Sequence, residues 1–218
     1  MDMFPEELLQ RLQAARVVAG FAVERAEDAV PIAKALLAGG IDTIELTLRT
    51  DAGIEAVRSI HAAVPECFIG VGTILRPDQV IAVKEAGAHF GVAPGMNPRV
   101  IQAAQVAGLP FAPGICTPTD LEAAIELGCR VVKFFPAASS GGIPFLKSMA
   151  APYKHLGIRY FPLGGVNAAN MMDYLAEDII CAVGGSWIVK DDLVKAGDWD
   201  GITERAAEVV KTLSSSAS

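Results

Sequence analysis

A lysine lies inside a stretch that otherwise has the composition of a buried strand. Lys133 is the fourth residue of RVVKFFP (130–136), an apolar run that ends at a proline. Lysine is rarely buried unless it is paired or functional. One interpretation is a strand end whose amine reaches solvent or a carboxylate, which is favoured on the strand alone because structural ion pairs resemble functional lysines. The other interpretation is an uncharged amine that attacks a carbonyl carbon.

Polar residues alternate with leucine and isoleucine in a second stretch, TIELTLRT (43–50). Glu45, Thr47 and Arg49 would share one face of this strand, with Arg49 at its end and Glu45 about 13 Å deeper. An ion pair between Glu45 and Arg49 is one explanation. Direct contact over that distance is awkward, so a ligand between them is the alternative. Arginine binds both oxygens of a carboxylate, and Glu45 is able to face Lys133 across a closed sheet.

Three further segments carry groups suited to binding a substrate. Thr73 ends the strand-like GVGTIL (70–75), and the glycine pairs of PLGGV (162–166) and VGGSW (183–187) follow the last two predicted strands. Loops at these two places bind phosphate in many parallel barrels, although a tight turn is the plain alternative for each glycine pair. The amides that would form this phosphate site are those of Gly164, Gly165, Gly185 and Ser186.

Composition and spacing exclude several classes of protein. The 218 residues carry a net charge of −7 without a basic patch, which argues against a nucleic-acid partner. No apolar stretch approaches the roughly 20 residues that span a bilayer, and the acidic segment MDMFPEELLQ (1–10) lacks the apolar core of a signal peptide, so we expect no membrane partner. Histidines and cysteines are scattered without metal-binding spacing, and GxSxG is absent. We therefore expect no metal, no cofactor and a cytoplasmic protein with reduced thiols.

Short apolar runs alternate with helical segments along the whole chain. Glycines at 87, 108 and 128 follow predicted helices, where a left-handed cap is expected. The sequence Thr-Pro-Thr-Asp (117–120) predicts a helix start. The predicted strands lie near 17–23, 42–48, 67–73, 88–92, 110–113, 130–134, 158–162 and 179–183.

Eight strand–helix units predict a closed (β/α)8 TIM barrel. We expect a single domain over residues 1–218, with an extra N-terminal helix within 1–16 and a loose tail at 214–218. The alternative is an open, doubly wound sheet. It is disfavoured because neither GxGxxG near the start nor GxxxxGK[ST] anywhere occurs in the chain.

The motifs ELTLRT, GVGTIL, APG, PGICTPTD, VVKFFPA, GGV and GGSW together resemble the bacterial 2-keto-3-deoxy-6-phosphogluconate (KDPG) and 4-hydroxy-2-oxoglutarate (KHG) aldolases. The resemblance covers about residues 17–212 and implies a metal-free class I aldolase that forms a homotrimer. It implies that Lys133 forms the Schiff base and that Glu45 shuttles protons. Roles in substrate binding are implied for Arg49 and Thr73 (carboxylate), Pro94, Phe135 and Leu163 (pocket wall), and Gly164, Gly165, Gly185 and Ser186 (phosphate).

Three departures from the family pattern concern the far half of the pocket. Strand one contains Ala-Gly-Phe-Ala (19–22) where Pro-Val-Ile or Pro-Val-Leu, often with a following arginine, is usual. Leu163 replaces a threonine, and Ala93 replaces a serine. The implied reaction is cleavage of KDPG to pyruvate and glyceraldehyde 3-phosphate, with KHG cleavage to pyruvate and glyoxylate as a second. The alternatives are a 2-keto-3-deoxy-6-phosphogalactonate aldolase, a phosphosugar isomerase or synthase, and a non-catalytic scaffold.

Overall fold

Parallel strands and helices alternate through residues 3–215, the part of the chain that the computed structural model describes. The strands are β1 Val17–Phe21, β2 Thr43–Thr47, β3 Phe68–Gly72, β4 Phe90–Val92, β5 Phe111–Ala112, β6 Gly114–Ile115, β7 Val131–Phe134, β8 Arg159–Pro162 and β9 Val183–Gly185. The helices are α1 Glu6–Ala15, α2 Ala29–Ala38, α3 Gly53–Ala63, α4 Pro77–Glu85, α5 Pro98–Ala107, α6 Pro118–Glu126, α7 Gly142–Ala150, α8 Met171–Leu175, α9 Asp191–Ala196 and α10 Trp199–Ser215. Short 3₁₀ turns cover Ala26–Asp28 and Ala151–Leu156.

The strands follow one another around a curled sheet. Their order is β5-β4-β3-β2-β1-β9 in one part and β6-β7-β8 in the other, and all pairs are parallel. The last strand pairs with the first, which closes the sheet, whereas the last strand of an open doubly wound sheet lies at an edge, away from the first. A bridge between Tyr160 and Ile180 connects the two parts. The predicted (β/α)8 barrel class is thereby confirmed, and α1 is the predicted extra N-terminal helix.

Two predicted strands differ from those observed. The fifth, predicted over 110–113, is divided at Pro113 into β5, which pairs with β4, and β6, which pairs with β7. Proline has no amide hydrogen and a fixed φ, so it suits the point where the chain changes partners. The eighth was predicted over 179–183, but β9 begins only at Val183. The preceding segment bonds to β8 instead, since Cys181 N–H donates to the carbonyl of Tyr160 at 3.0 Å.

Helix ends follow the predicted signals more closely. Thr117 accepts a hydrogen bond from the amide of Asp120, whose carboxylate accepts from the amide of Thr117, forming the predicted capping box of α6. Positive φ angles occur at Gly87, Gly108 and Gly128, where left-handed caps were predicted.

The C-terminal end of the chain differs from the prediction. The predicted loose tail was wrong for residues 214 and 215. Both belong to α10, with their hydroxyls bonded to carbonyls four residues earlier. Residues 216–218 lie outside the described part. That residues 1–218 form one domain stays a prediction.

The core has an outer and an inner layer. The outer layer lies between the strands and the surrounding helices. The inner layer fills the barrel near the N-terminal ends of the strands, where large side chains such as Phe68, Phe90 and Phe161 meet, and Leu12 of α1 packs against it. The catalytic end of the barrel is therefore its other end, above this apolar floor. Among residues 3–215, no helix has both the length and the apolar character needed to cross a bilayer.

Candidate active site

A buried ion pair lies inside the barrel between β2 and β7. Lys133 is 5% exposed and Glu45 is 1% exposed. The Lys133 Nζ donates a hydrogen bond to Glu45 Oε1 at 2.8 Å. The predicted encounter of these two side chains across the barrel is thus present in the structure. Two buried charges in contact, at the edge of a cavity, are typical of a functional site as well as of a structural ion pair.

Glycines next to Glu45 make room for its carboxylate. In the register of the sheet, Glu45 lies between Gly20 of β1 and Gly70 of β3. A Cβ atom on Gly72 would stand 2.1 Å from Glu45 Oε1, so the carboxylate would have to move from its present position. The missing side chain at Gly72 therefore allows the carboxylate to turn towards Lys133.

An aromatic ring also lies close to the amine of Lys133. The Lys133 Nζ lies 5.3 Å from the ring centroid of Phe135. At this distance the face of the ring attracts a positive charge on the amine. The same attraction would act on the positively charged imine that a Schiff-base reaction forms at this nitrogen.

A cavity of about 860 Å³ opens above the pair at the C-terminal ends of the strands. Most of the predicted site residues line it, and they come from strands and loops that are far apart in sequence. Those lining residues are Glu45, Arg49, Lys133, Phe135, Leu163, Gly164, Gly165, Gly185 and Ser186. The residues from the altered first strand, Gly20 and Ala22, line the cavity too.

Two predicted residues do not line this cavity. Thr73 follows β3 with a φ of 60°, a left-handed conformation that is uncommon for a threonine. Pro94 lies with its backbone against β6, so that a Cβ atom on Gly114 would stand 2.2 Å from the Pro94 carbonyl. Gly114 is the register partner of Lys133. Both residues are thus next to strands that carry the site, and their roles stay predictions.

Arg49 lies at the mouth of the cavity, although not on the strand. β2 ends at Thr47, and Arg49 belongs to the turn that follows, where its amide donates to the Thr47 carbonyl at 2.9 Å. Within the described residues no carboxylate lies within 4.0 Å of this guanidinium. The ion pair with Glu45, one of the two explanations given above, is therefore absent there, and the guanidinium is available to an anionic ligand.

The loop after β8 presents backbone amides to the cavity. The amides of Ala137 and Ala138 donate to the carbonyls of Leu163 and Gly164 at 2.7 and 2.8 Å. In a trans peptide the N–H points opposite to the carbonyl. The amides of the two following residues, Gly164 and Gly165, therefore point away from that segment. Both have φ above 80°, which favours glycine, and successive amides of this kind form anion-binding concavities.

Several groups in the site were not found by sequence reasoning. The side-chain amides of Asn167 and Asn170 donate to the Gly165 carbonyl at 3.3 and 3.0 Å, which fixes the third peptide of the amide loop. Thr47, by contrast, was placed by the sequence on the same strand face as Glu45 and Arg49, and it lines the cavity and donates to the Phe21 carbonyl at 3.2 Å. In the sequence, the only indication that these asparagines hold the loop is their spacing, NxxN, shortly after a glycine pair.

Two cations at the rim were also missed. Arg25 and Lys195 line the cavity on the side of the altered first strand. Arg25 is held by Asp28, which accepts from its Nε at 3.0 Å and its Nη2 at 2.6 Å. This hydrogen bonding to Asp28 raises the pKa of Arg25, so the side chain stays charged. The first strand itself lacks an arginine, but the cavity beside it does carry positive charge.

The arrangement defines a class of enzyme. A lysine that can lose its proton to an adjacent carboxylate is a nucleophile for a keto group. A guanidinium without an ion-pair partner and an amide loop on the wall of the same cavity suit a substrate with two anionic groups. A parallel barrel with this site is a class I, Schiff-base aldolase. Among the described residues, no cluster of histidine, cysteine and acidic side chains has the makings of a metal site.

Comparison with known proteins gives the family. The sequence profile of the KDPG and KHG aldolases matches residues 8–205. The KHG/KDPG aldolase of Escherichia coli K12 is 43% identical over 195 residues, which are 89% of this chain and 91% of that protein. The chain belongs to the KDPG and KHG aldolase family.

Two solved structures show the same fold. The KDPG aldolase of Legionella pneumophila, solved with pyruvate captured as a covalent carbinolamine intermediate, superposes with a TM-score of 0.87 at 37% identity, covering 92% of this chain and 97% of that one. The KDPG aldolase of Zymomonas mobilis ZM4, solved with 3-phosphoglycerate, gives a TM-score of 0.84 at 35% identity, covering 92% and 94%. The predicted family and the class I mechanism are confirmed.

Proposed function

We propose that this protein cleaves KDPG to pyruvate and glyceraldehyde 3-phosphate through a Schiff base on Lys133, and that it cleaves KHG to pyruvate and glyoxylate as a second reaction. The observation that carries the proposal is the contact of 2.8 Å between Lys133 Nζ and Glu45 Oε1 at the floor of the cavity. In a poorly hydrated site, transfer of one proton from the ammonium to the carboxylate converts two buried charges into a neutral amine and a neutral acid.

The steps follow from this pair. The free amine attacks the C2 keto group of the substrate, and Glu45 provides the proton with which the hydroxyl of the carbinolamine leaves as water. The C4 hydroxyl then loses its proton to the carboxylate, the bond between C3 and C4 breaks, and its electrons neutralise the iminium to give an enamine. The aldehyde departs. Protonation of the enamine at C3 and addition of water release pyruvate and restore the lysine.

Binding groups at the two ends of the cavity match the two ends of the substrate. We assign Arg49 to the carboxylate next to the keto group, with Thr73, Pro94 and Phe135 around it. We assign the amides of Gly164, Gly165 and Ser186 to the phosphate. Gly185 belongs to β9, paired with Ala19, and would shape this end of the cavity. An amide loop is needed because the protein's charge of −7 repels an anion at a distance.

A direct test is trapping of the Schiff base. The protein is mixed with pyruvate, reduced with borohydride and digested, and the peptides are analysed by mass spectrometry. We expect a reduced adduct on the peptide that carries Lys133. A folded protein without any adduct would contradict covalent catalysis and would favour an isomerase, a synthase or a non-catalytic scaffold.

We expect Arg49→Ala to weaken capture of the keto acid far more than Arg49→Lys. Lysine keeps the charge but loses the planar fork that binds both carboxylate oxygens. Loss of charged hydrogen bonds worth about 1.5–3 kcal/mol corresponds to about a 10- to 150-fold loss in kcat/KM for the alanine variant. The measurement is kcat/KM with KDPG in both variants. Equal losses would argue against bidentate binding.

Substrate choice depends on Leu163, which replaces a hydroxyl with an apolar wall. Leu163 is 5% exposed and packs closely against Gly184, where an added Cβ atom would stand 2.9 Å from the leucine Cδ2. An apolar wall discriminates weakly between substrates that differ in a hydroxyl. We therefore expect KDPG, its galactonate isomer and KHG to differ only modestly in kcat/KM.

The matched variants are Leu163→Thr and Leu163→Val, which remove similar volume but differ in the hydroxyl. Leu163→Thr is expected to raise preference for KDPG by about 1–2 kcal/mol, the order of one hydrogen bond, whereas Leu163→Val is not. The measurement is kcat/KM for the three substrates in each protein. A natural enzyme that already prefers KDPG by about a thousandfold would contradict the assignment, because an apolar wall does not discriminate so strongly.

We also propose that the protein is a homotrimer that works in the cytoplasm. Its most exposed large apolar residues include Leu75, Ile81 and Val106, which lie beside or on the adjacent helices α4 and α5. Such a surface suits contact with a second copy. Cys67, Cys116 and Cys181 are free thiols, as a reducing compartment permits. Light scattering that gives the mass of a monomer, 22.8 kDa, would contradict the trimer.

A further inference from the structure

A second cavity lies at the end of the barrel opposite to the catalytic one. Its volume is about 370 Å³. Arg130, which directly precedes β7, and Arg159, the first residue of β8, line it on one side. Gln13 and Glu6 of α1 line it on the other side. Neither arginine has a part in the chemistry described above, which takes place at the C-terminal ends of the same strands.

Arg130 places a polar atom where the protein supplies no acceptor. Its Nη1 is buried and has no hydrogen-bond partner among the described residues. A buried donor on a charged group is costly unless it is paired. The position of Arg130 is thus explained only if something other than the described chain accepts a hydrogen bond there.

Arg159 brings a second positive charge to the same cavity. One of its nitrogens, Nη1, donates to the Asp178 carbonyl at 2.5 Å, which leaves other donors of the guanidinium for the cavity. Within residues 3–215, no carboxylate lies within 4.0 Å of either guanidinium. Glu6, the acidic residue of the cavity wall, accepts instead from the side chain of Gln10 at 3.1 Å.

We propose that this cavity binds a small oxyanion, a phosphate or carboxylate group, between Arg130 and Arg159. A water molecule would supply an acceptor but no charge to offset two neighbouring guanidinium groups. An oxyanion supplies both, and arginine forks match its geometry. Within the described residues neither arginine has an ion-pair partner, although the chain carries an excess of acidic residues and a net charge of −7. The side-chain amide of Gln13 adds a further donor on the wall formed by α1.

The test uses the full chain and inorganic phosphate as the probe. Isothermal titration calorimetry at low ionic strength measures the stoichiometry and affinity of phosphate binding to the natural protein, to Arg130→Gln and to Arg159→Gln. Arg58→Gln is the control, since it removes the same charge from an exposed side chain on α3. We expect both cavity variants to lose one equivalent of phosphate binding, or to weaken it by at least about tenfold, and the control to keep it. The kcat/KM for KDPG should stay unchanged in all three.

Phosphate isotherms that are the same in both cavity variants and in the natural protein would overturn the proposal. Selenate soaked into crystals of the natural protein answers the question without any variant. An anomalous peak between the two guanidinium groups is expected. An empty cavity at saturating selenate would overturn the site even if a variant failed to fold. Neither result depends on the catalytic proposal, whose own test is the adduct on Lys133.

Discussion

The Lys133→Ala variant is expected to lose all measurable aldol cleavage and all adduct formation with pyruvate. Among residues 3–215, the only other lysine that lines the cavity is Lys195 of α9, and it makes no ion pair with Glu45. The measurement is kcat with KDPG together with borohydride trapping. Lys147→Ala is the matched control, because Lys147 is exposed on α7 and pairs with Glu177 at 2.9 Å. A measurable kcat for KDPG cleavage in Lys133→Ala would contradict a mechanism through a Schiff base on Lys133.

The same variant makes a prediction about stability. Without its partner, Glu45 is buried and has no counter-charge, which lowers the free energy of unfolding. We expect Lys133→Ala to fold, with a denaturant midpoint below that of the natural protein. Failure to fold would show that the lysine is required by the structure.

The Glu45→Gln variant is expected to form the Schiff base but to turn over about 10²–10⁴ times more slowly, the usual contribution of a positioned acid or base. Glutamine keeps the shape of the side chain and can still accept a hydrogen bond from Lys133, but it cannot take a proton. The measurements are kcat with KDPG and exchange of the pyruvate methyl hydrogens with deuterated water, which reports enamine formation.

Trapping by borohydride separates the two roles of Glu45. The adduct with pyruvate should still accumulate in Glu45→Gln, more slowly than in the natural protein. Glu55→Gln is the control, because Glu55 is exposed on α3 and bonded to Arg58. Unchanged turnover in Glu45→Gln would take the carboxylate out of the mechanism, and complete loss of the adduct would assign it to imine formation alone.

Much of the fold and of the site could be predicted from local sequence. The alternation of apolar runs with capped helices indicated the barrel, because each parallel strand needs a helix to return the chain. Lys133 and Glu45 could be identified because a charged residue inside an apolar strand is rarely buried unless it is paired or functional. The glycine pair at Gly164 and Gly165 indicated the amide loop, and in the structure both residues have the positive φ that favours glycine.

The differences from the prediction arise where distant parts of the chain meet. Local periodicity could not show that Pro113 divides a strand or that the last strand begins only at Val183, because those boundaries depend on which neighbour each segment bonds to. Likewise, Arg25 and Lys195 are ordinary surface cations in the sequence. Only the curvature of the barrel places them on the rim of the cavity.

The sequence by itself determined which residue types are present and which face of each strand they occupy, since alternation along a strand is a local property. The tertiary structure decided which of these residues meet. Lys133 and Glu45 are 88 positions apart, and their contact exists because the closed sheet brings β7 opposite β2. The tertiary structure also decided that Arg130 and Arg159 line the same cavity, because the adjacent strands β7 and β8 start at the same end of the barrel.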